Sequence, residues 1–240
     1  MNNKPLIVAN WKATKTIKET IEWVKKTKPQ LLEANYADIV LCPPFTSLPI
    51  LSSLFQKSNV KVGAQDVSKF TKGAFTGEVS VEMLDGLASY CIVGHSERRK
   101  YFGESDDDVI SKVKLLLGYN ITPVLCVSDL DQMDSYLEKG QGIIEAADDI
   151  IFVYEPPGAI SGGGAYRPEE PEAANEKSGR ISERVGKRVR TLYGGSINPE
   201  NVFSFFSQKN IDGGLVGQSS TDPAAFSKLL DSIRINTSGE

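Results

Sequence analysis

Short apolar runs recur along the chain, and a polar turn and a segment with helical spacing follow almost every one. Eight of these runs predict β-strands, at Leu6–Ala9, Asp38–Cys42, Val60–Gly63, Ile92–Val93, Ile121–Val127, Ile150–Tyr154, Val189–Tyr193 and Ile211–Val216. The runs are continuously apolar rather than alternating, which is typical of parallel strands covered by helices on both faces. Eight such units in 240 residues predict the α/β class and a closed (β/α)8 barrel, as a single domain over residues 1–240.

An open, doubly wound sheet is the alternative architecture for the same alternation of strands and helices. Its dinucleotide-binding form carries a GxGxxG motif at the start of the first helix, and this sequence has no such motif there. The closed barrel is therefore the preferred prediction.

Several helices are predicted from local spacing and from helix-breaking residues. Ile17, Ile21 and Val24 recur at helical spacing, and Lys28-Pro29 predicts the end of that first helix. The charged turn after His95 predicts the start of a helix whose apolar face contains Val109, Val113, Leu116 and Leu117. The segment from 129 to 149 is predicted to be helical and is interrupted by Gly140 and Gly142, whereas 168–188 is strongly polar and predicts an exposed or loosely packed helix.

His95 is the only histidine in the chain, and it directly follows a short β-branched run that stops at Gly94. A strand that runs into a helix N-terminus places this imidazole where the first-turn N–H groups point outward. That positive end disfavours imidazolium, so His95 is expected to be a neutral hydrogen-bond donor. A capping or packing histidine is the alternative interpretation.

Composition and charge exclude several classes of function. The net charge is −4 without a basic block, so the sequence predicts no nucleic-acid partner and no membrane-surface partner. No apolar run approaches the ~20 residues of a membrane span. The three cysteines show no metal-ligand spacing and predict buried thiols in a reducing compartment, the cytoplasm.

Polar residues follow the predicted strands, and in a barrel these positions meet at one rim, where active sites lie. They are Asn10, Lys12, His95, Glu155, Ser196 and the Gly217 turn. This set suits a small anionic substrate that has a carbonyl and an acidic C–H. Glu155 would remove the proton, His95 would stabilise the oxyanion, and Gly- and Ser-rich turns would bind a phosphate.

Over essentially its whole length the sequence resembles the triosephosphate isomerase family. The matching stretches are Val8–Lys12, Gly63–Asp66, Gly73–Ser80, Val93–Arg99, Tyr154–Pro156, Tyr193–Ser196 and Asp212–Gly217. The resemblance implies a TIM barrel and an isomerase of glycolysis and gluconeogenesis that interconverts dihydroxyacetone phosphate and D-glyceraldehyde 3-phosphate through an enediolate. A catalytically impaired phosphate-binding barrel is the alternative function, and another phosphate-binding barrel enzyme is a third.

The resemblance also implies roles for individual residues. His95, Glu155 and Lys12 would be catalytic, and Glu97 would lie beside Lys12, although a carboxylate favoured by the helix dipole is an alternative for Glu97. The substrate would be bound by Asn10, Lys12, Ser161, Ser196, Gly217 and Gln218. The run Gln65–Val79 resembles a loop that enters the neighbouring subunit, with Thr76 at its tip, and it predicts a homodimer. No metal and no organic cofactor is expected, because side chains alone can move a proton next to a carbonyl.

Two stretches depart from the family pattern. The segment after Glu155 resembles the family's closing lid, but Pro157-Gly158 replaces its first hinge and Gly162–Tyr166 replaces its second. Ser161 stands where the family has a phosphate-binding glycine, and Gln218 stands where it has a second glycine. The side-chain amide of Gln218 can donate a compensating hydrogen bond.

Overall fold

The computed structural model describes residues 4–156, 158 and 168–237, with residues 236 and 237 described by backbone alone. Within these residues eight parallel strands form a closed barrel in which each strand pairs with its neighbours in sequence and β1 pairs with β8. The strands are β1 (Leu6–Asn10), β2 (Asp38–Cys42), β3 (Lys61–Ala64), β4 (Tyr90–Val93), β5 (Thr122–Val127), β6 (Ile151–Tyr154), β7 (Thr191–Tyr193) and β8 (Gly213–Val216). The predicted closed (β/α)8 barrel is confirmed.

Helices lie between the strands of the described chain. They are α1 (Ile17–Glu33), α2 (Leu48–Phe55), α3 (Val81–Leu84), α4 (Ser96–Phe102), α5 (Asp106–Gly118), α6 (Leu130–Lys139), α7 (Gln141–Glu145), α8 (Pro171–Val185), α9 (Val202–Phe206), α10 (Gln218–Thr221) and α11 (Pro223–Thr237). Short 3-10 turns occupy Phe45–Ser47 and Ala147–Asp149.

The core has two layers because successive side chains of a strand point to opposite faces. On β1, Leu6 and Val8 belong to a cluster formed by strand residues alone, which fills the barrel interior. Ile7 and Ala9 belong to the larger cluster between the barrel and the helices. Both faces of β1 are therefore buried, as its continuous apolar run predicts.

The three cysteines are free thiols inside this core. Cys42 lies on β2, Cys91 on β4 and Cys126 on β5, and all three are fully buried. Burial raises the pKa of each thiol well above its ordinary value. The prediction of buried thiols is confirmed.

Pro123 lies inside β5, where a missing N–H would normally weaken a ladder. The N–H of Thr122 bonds to the Ser89 carbonyl on the β4 side at 2.9 Å, so strand alternation turns position 123 towards β6. β6 begins only at Ile151, which pairs with Val124. The missing N–H of Pro123 therefore faces a position where β6 has not yet begun, and no hydrogen bond of the sheet is lost.

The predicted end of the first helix at Lys28-Pro29 is wrong. α1 continues through Pro29 to Glu33. The proline forfeits the bond to the carbonyl of Lys25, a residue that is exposed, so water can replace that bond. Leu31, close to the end of the helix, is completely buried, and its packing favours the continuation.

The helix predicted after His95 is in fact two helices. α4 ends at Phe102, and the next residue, Gly103, has a φ of 67° and forms the left-handed cap that glycine favours. α5 then begins behind Ser105, whose hydroxyl accepts from the Asp108 N–H while the Asp108 carboxylate accepts from the Ser105 N–H. Both signals stand in the sequence.

The helical segment from 129 to 149 is confirmed in outline, as α6, α7 and a 3-10 turn. The expectation of an exposed or loosely packed helix within 168–188 is wrong. α8 buries Ala174, Ser178 and Ile181 along one face, each at 1% exposure or less. Three small or medium side chains at helical spacing are enough to pack an otherwise polar helix against the barrel.

Candidate active site

Most of the predicted site residues meet at the carboxyl ends of the strands, as the barrel fold requires. Asn10 ends β1, His95 comes two residues after β4, and Glu155 directly follows β6. A pocket at this rim is lined by Asn10, Lys12, His95, Gly194, Gly195, Ser196, Ile197, Leu215, Gly217 and Gln218. Glu155 does not line this pocket and lies against His95 instead.

His95 caps the N-terminus of α4. Gly94 turns the chain out of β4 with a φ of 72°, which glycine adopts without strain. The Nδ1 atom of His95 accepts the Glu97 N–H at 3.2 Å. An imidazolium has no acceptor nitrogen, so this bond requires the neutral ring with its proton on Nε2. The geometry agrees with the neutral donor predicted from the sequence.

Glu155 is a buried carboxylate, with 1% of its surface exposed. Its Oε2 accepts the Ser96 N–H at 2.9 Å. Its Oε1 lies 3.1 Å from His95 Nε2, but the N–H direction is poorly aligned, and Oε1 has no hydrogen-bond partner among the described residues. A buried oxygen with an unused lone pair next to a neutral imidazole is suited to proton transfer.

Lys12 supplies a cation beside the pocket. Its φ of 49° is unusual for a residue with a side chain, and two hydrogen bonds fix its backbone. Asn10 Oδ1 accepts the Lys12 N–H at 3.0 Å, and the Gln65 amide donates to the Lys12 carbonyl at 2.9 Å. The Lys12 ammonium forms an ion pair with Glu97 at 2.5 Å. The structure therefore brings Glu97 beside Lys12, as the resemblance implies.

Gln65 is a site contact that the sequence reasoning missed. Its amide also donates to the Cys42 carbonyl at 2.9 Å, so it connects the ends of β1, β2 and β3. In the sequence, Gln65 belongs to the matching stretch Gly63–Asp66 and begins the loop Gln65–Val79, and neither feature indicates a contact with Lys12.

Two backbone turns close the other side of the pocket. Gly195 and Ser196 follow β7, and Gly217 and Gln218 follow β8. Gly195 has no room for a side chain, because a Cβ there would lie 2.2 Å from the Tyr193 hydroxyl. Ser196 is buried, whereas the Gln218 side chain is exposed at the start of α10. Clustered N–H groups of this kind are suited to an anion.

The two remaining predicted site residues are Thr76 and Ser161. Thr76 is exposed on the loop Gln65–Val79 and does not line the pocket. Ser161 lies outside the described residues, as do Pro157 and the second-hinge substitution Gly162–Tyr166.

No helix in the described part of the chain is both long and apolar enough to cross a membrane. Within the same residues, no group of three or more histidine, cysteine, aspartate or glutamate side chains has an arrangement that could hold a metal ion. The expectation that the reaction needs no metal and no organic cofactor stays a prediction.

Comparison with known proteins assigns the family. The family model for triosephosphate isomerase matches residues 5–233. A triosephosphate isomerase of Thermus thermophilus is 40% identical over 94% of this chain and 97% of its own length, and one of Endomicrobium trichonymphae is 38% identical over 95% and 98%. One of Aquifex aeolicus is 38% identical over 95% and 99%. The chain, a closed barrel, therefore belongs to the triosephosphate isomerase family.

Proposed function

We propose that Glu155, His95 and Lys12 carry the reaction of this family, the isomerisation of dihydroxyacetone phosphate to D-glyceraldehyde 3-phosphate and back. The observation that carries the proposal is the 3.1 Å approach of Glu155 Oε1 to His95 Nε2 in a buried setting. Among the described residues no lysine or arginine forms an ion pair with Glu155 or a close contact with His95, so both groups are available for proton transfer and hydrogen bonding.

Glu155 is the base that moves the proton between adjacent carbons. Its hydrogen bond to the Ser96 N–H keeps the carboxylate behind His95, outside the lining of the pocket. To reach a bound substrate the carboxylate exchanges that bond for contact with the substrate carbon. It removes a proton from one carbon and returns it to the next, passing through the enediolate.

His95 and Lys12 stabilise the charge that develops on the substrate oxygens. The neutral ring donates from Nε2, and the Lys12 ammonium offsets the negative charge of the enediolate and of the phosphate. Asn10 positions Lys12 through the Lys12 N–H. The N–H groups around Ser196, Gly217 and Gln218 bind the phosphate, and Ser161 contributes from the segment after β6.

A coupled assay of D-glyceraldehyde 3-phosphate conversion tests the proposal, together with Glu155→Asp. Shortening the side chain moves the base back by about one carbon–carbon bond, so we expect kcat to fall by about 10²-fold or more while KM changes little. Glu145→Asp, at an exposed position on α7, is the matched control and retains full activity.

Near-normal turnover in Glu155→Asp would contradict the role of Glu155. A wild-type chain that binds the substrate without turnover would instead support the alternative of an impaired phosphate-binding barrel.

The assembly we propose is a homodimer formed through the loop Gln65–Val79. Phe70 and Phe75 stack on each other at 4.2 Å on the outside of this loop, and both stay about 40% exposed. An exposed aromatic pair of this kind is suited to burial against another protein surface. Thr76, next to Phe75, would then face the partner's pocket. Sedimentation that shows a fully active monomer would exclude this assembly.

We also propose that the protein acts in the cytoplasm, where its thiols stay reduced.

A further inference from the structure

A buried tyrosine hydroxyl lies behind the turn that carries His95. Tyr136, on α6, is completely buried. Its hydroxyl donates to the carbonyl of Cys126 on β5 at 3.2 Å and accepts from the guanidinium of Arg99 on α4. The hydroxyl thus uses both its proton and a lone pair, and it connects β5 with α4, two elements that flank the site.

Arg99 extends this contact to the peptide in front of His95. Its Nε donates to the Gly94 carbonyl at 3.3 Å, and its Nη1 donates to Asp106 at 2.8 Å. Asp106 also accepts the Ser135 hydroxyl at 2.6 Å. The guanidinium is therefore held from both ends, by Tyr136 on one side and by Asp106 on the other.

The Tyr136 hydroxyl also fills the space beside Gly94 that a side chain would need. A Cβ at position 94 would lie 2.9 Å from the Tyr136 hydroxyl and 3.4 Å from the Cys126 carbonyl. The hydroxyl therefore packs against the backbone at the point where the chain leaves β4 and turns to His95.

The second hydrogen bond of Tyr136 leads to Glu155. Cys126 is followed by Val127, whose carbonyl accepts the Glu155 N–H at 2.8 Å. The Tyr136 hydroxyl is thus connected through Arg99 to the Gly94 carbonyl, next to His95. It also bonds to the Cys126 carbonyl, next to the residue that holds the Glu155 N–H. Burial raises the pKa of Tyr136, and Arg99 opposes that shift, so the phenol keeps its proton and remains a donor at neutral pH.

We propose that Tyr136 is a positioning residue for the isomerase reaction, which holds the His95 ring against Glu155 through Arg99 and the Cys126 carbonyl. The inference rests on the roles proposed above for His95 and Glu155. Tyr136 does not touch the substrate. It acts by fixing the ends of β4 and β5, because β4 leads into His95 and β5 holds the Glu155 backbone through the Val127 carbonyl. A displacement of a few tenths of an ångström is enough to lower the rate of proton transfer.

The test is Tyr136→Phe in the full chain, which removes the hydroxyl and keeps the ring. We expect kcat to fall about tenfold with KM unchanged. Tyr90→Phe is the matched control, because Tyr90 begins β4 at the opposite end of the same strand. It keeps the wild-type kcat.

Nitrogen NMR of the His95 ring provides a readout independent of activity. Because the chain has a single histidine, its two ring-nitrogen signals need no assignment among residues. We expect these signals to shift in Tyr136→Phe and to keep their wild-type positions in Tyr90→Phe.

Arg99→Lys is the second variant, and it decides the question if Tyr136→Phe does not fold. It keeps the charge and removes the guanidinium that reaches both Tyr136 and Gly94. The same loss of kcat is expected, and where both variants fold, the double variant should lose no more than the larger single effect.

A purely structural role predicts a lower Tm with unchanged kcat and unchanged His95 signals, and that result would overturn the proposal. An equal loss of kcat in Tyr90→Phe would overturn it as well. Full activity of Glu155→Asp would defeat the proposed function instead, and the His95 signals would still report whether Tyr136 positions the ring.

Discussion

Glu155, at the carboxyl-terminal rim of the barrel, differs from the carboxylates at the amino-terminal rim. At the amino-terminal rim, carboxylates are paired with arginines: Asp212 accepts from Arg188 at 2.8 and 2.9 Å, and Asp38 accepts from Arg190 at 3.1 Å. At the carboxyl-terminal rim, Glu155 is buried deeper than any of these groups, and its Oε1 has no hydrogen bond among the described residues.

This difference separates stability from chemistry along the same strands. A satisfied, half-exposed carboxylate contributes to folding and has no capacity left for a substrate. A buried oxygen without a partner costs free energy in the folded protein, and this cost is tolerated where a ligand will use the oxygen. The three predictions that follow test this separation, beginning with the largest effect.

Changing His95 at the carboxyl-terminal rim should remove activity and leave stability nearly intact. The side chain introduced by His95→Gln lacks the ring that donates to the substrate oxygens, so kcat should fall by about 10²-fold or more. Steady-state kinetics and a thermal melt measure the two quantities. A large fall in Tm with little change in kcat would mean that the two rims do not differ in the way described.

Changing Asp212 at the amino-terminal rim should do the reverse. Asp212 also accepts the N–H of the buried Thr191 at 2.7 Å, so Asp212→Ala leaves a buried donor unpaired. The free energy of unfolding should fall by about 1–3 kcal/mol, with kcat unchanged, as measured by urea unfolding and the coupled assay. Asp85→Ala, at an exposed position after α3, is the matched control. Loss of turnover in Asp212→Ala at a temperature where it is folded would break the comparison.

The smallest effect is expected at Asp108, a peripheral group near the carboxyl-terminal rim. Its hydrogen bond with Lys69, on the loop Gln65–Val79, holds the pKa of this carboxyl below its ordinary value. A lowered pKa stabilises the folded state above the unfolded-state pKa, and the contribution is lost as pH falls through the folded value. Asp108→Asn should therefore lower Tm slightly at pH 7, and the difference in Tm should shrink as the pH falls through the lowered, folded-state pKa of Asp108. A difference in Tm that persists below that pKa would assign it to the helix cap rather than to the charge.

Sequence patterns predicted the barrel because the information was local. Each apolar run such as Leu6–Ala9 is long enough to form a strand by itself, and strands buried on both faces require helices around them. The positions of Asn10, His95 and Glu155 after their strands then placed them at one rim without any knowledge of distances.

Tertiary contacts account for what the sequence did not predict. No local sequence signal near Pro29 indicates that Leu31 is buried. The packing of Leu31 favours the continuation of α1 beyond the proline. The contacts of Gln65 with Lys12 and of Tyr136 with Arg99 join residues 53 and 37 positions apart. No periodic pattern encodes a pairing over such a separation. The hydrogen bond of Glu155 to the Ser96 N–H, which keeps the base away from the pocket, is likewise visible only in three dimensions.

The reactivity of the three buried thiols depends on local opening of the barrel. Thiolates react with alkylating reagents and protonated thiols do not, so Cys42, Cys91 and Cys126 are protected for as long as their strands stay closed. Each cysteine lies on a different strand. The order in which a reagent labels the three thiols under native conditions therefore gives the order in which β2, β4 and β5 open locally. The three thiols thus allow slow local opening of these three strands to be followed separately.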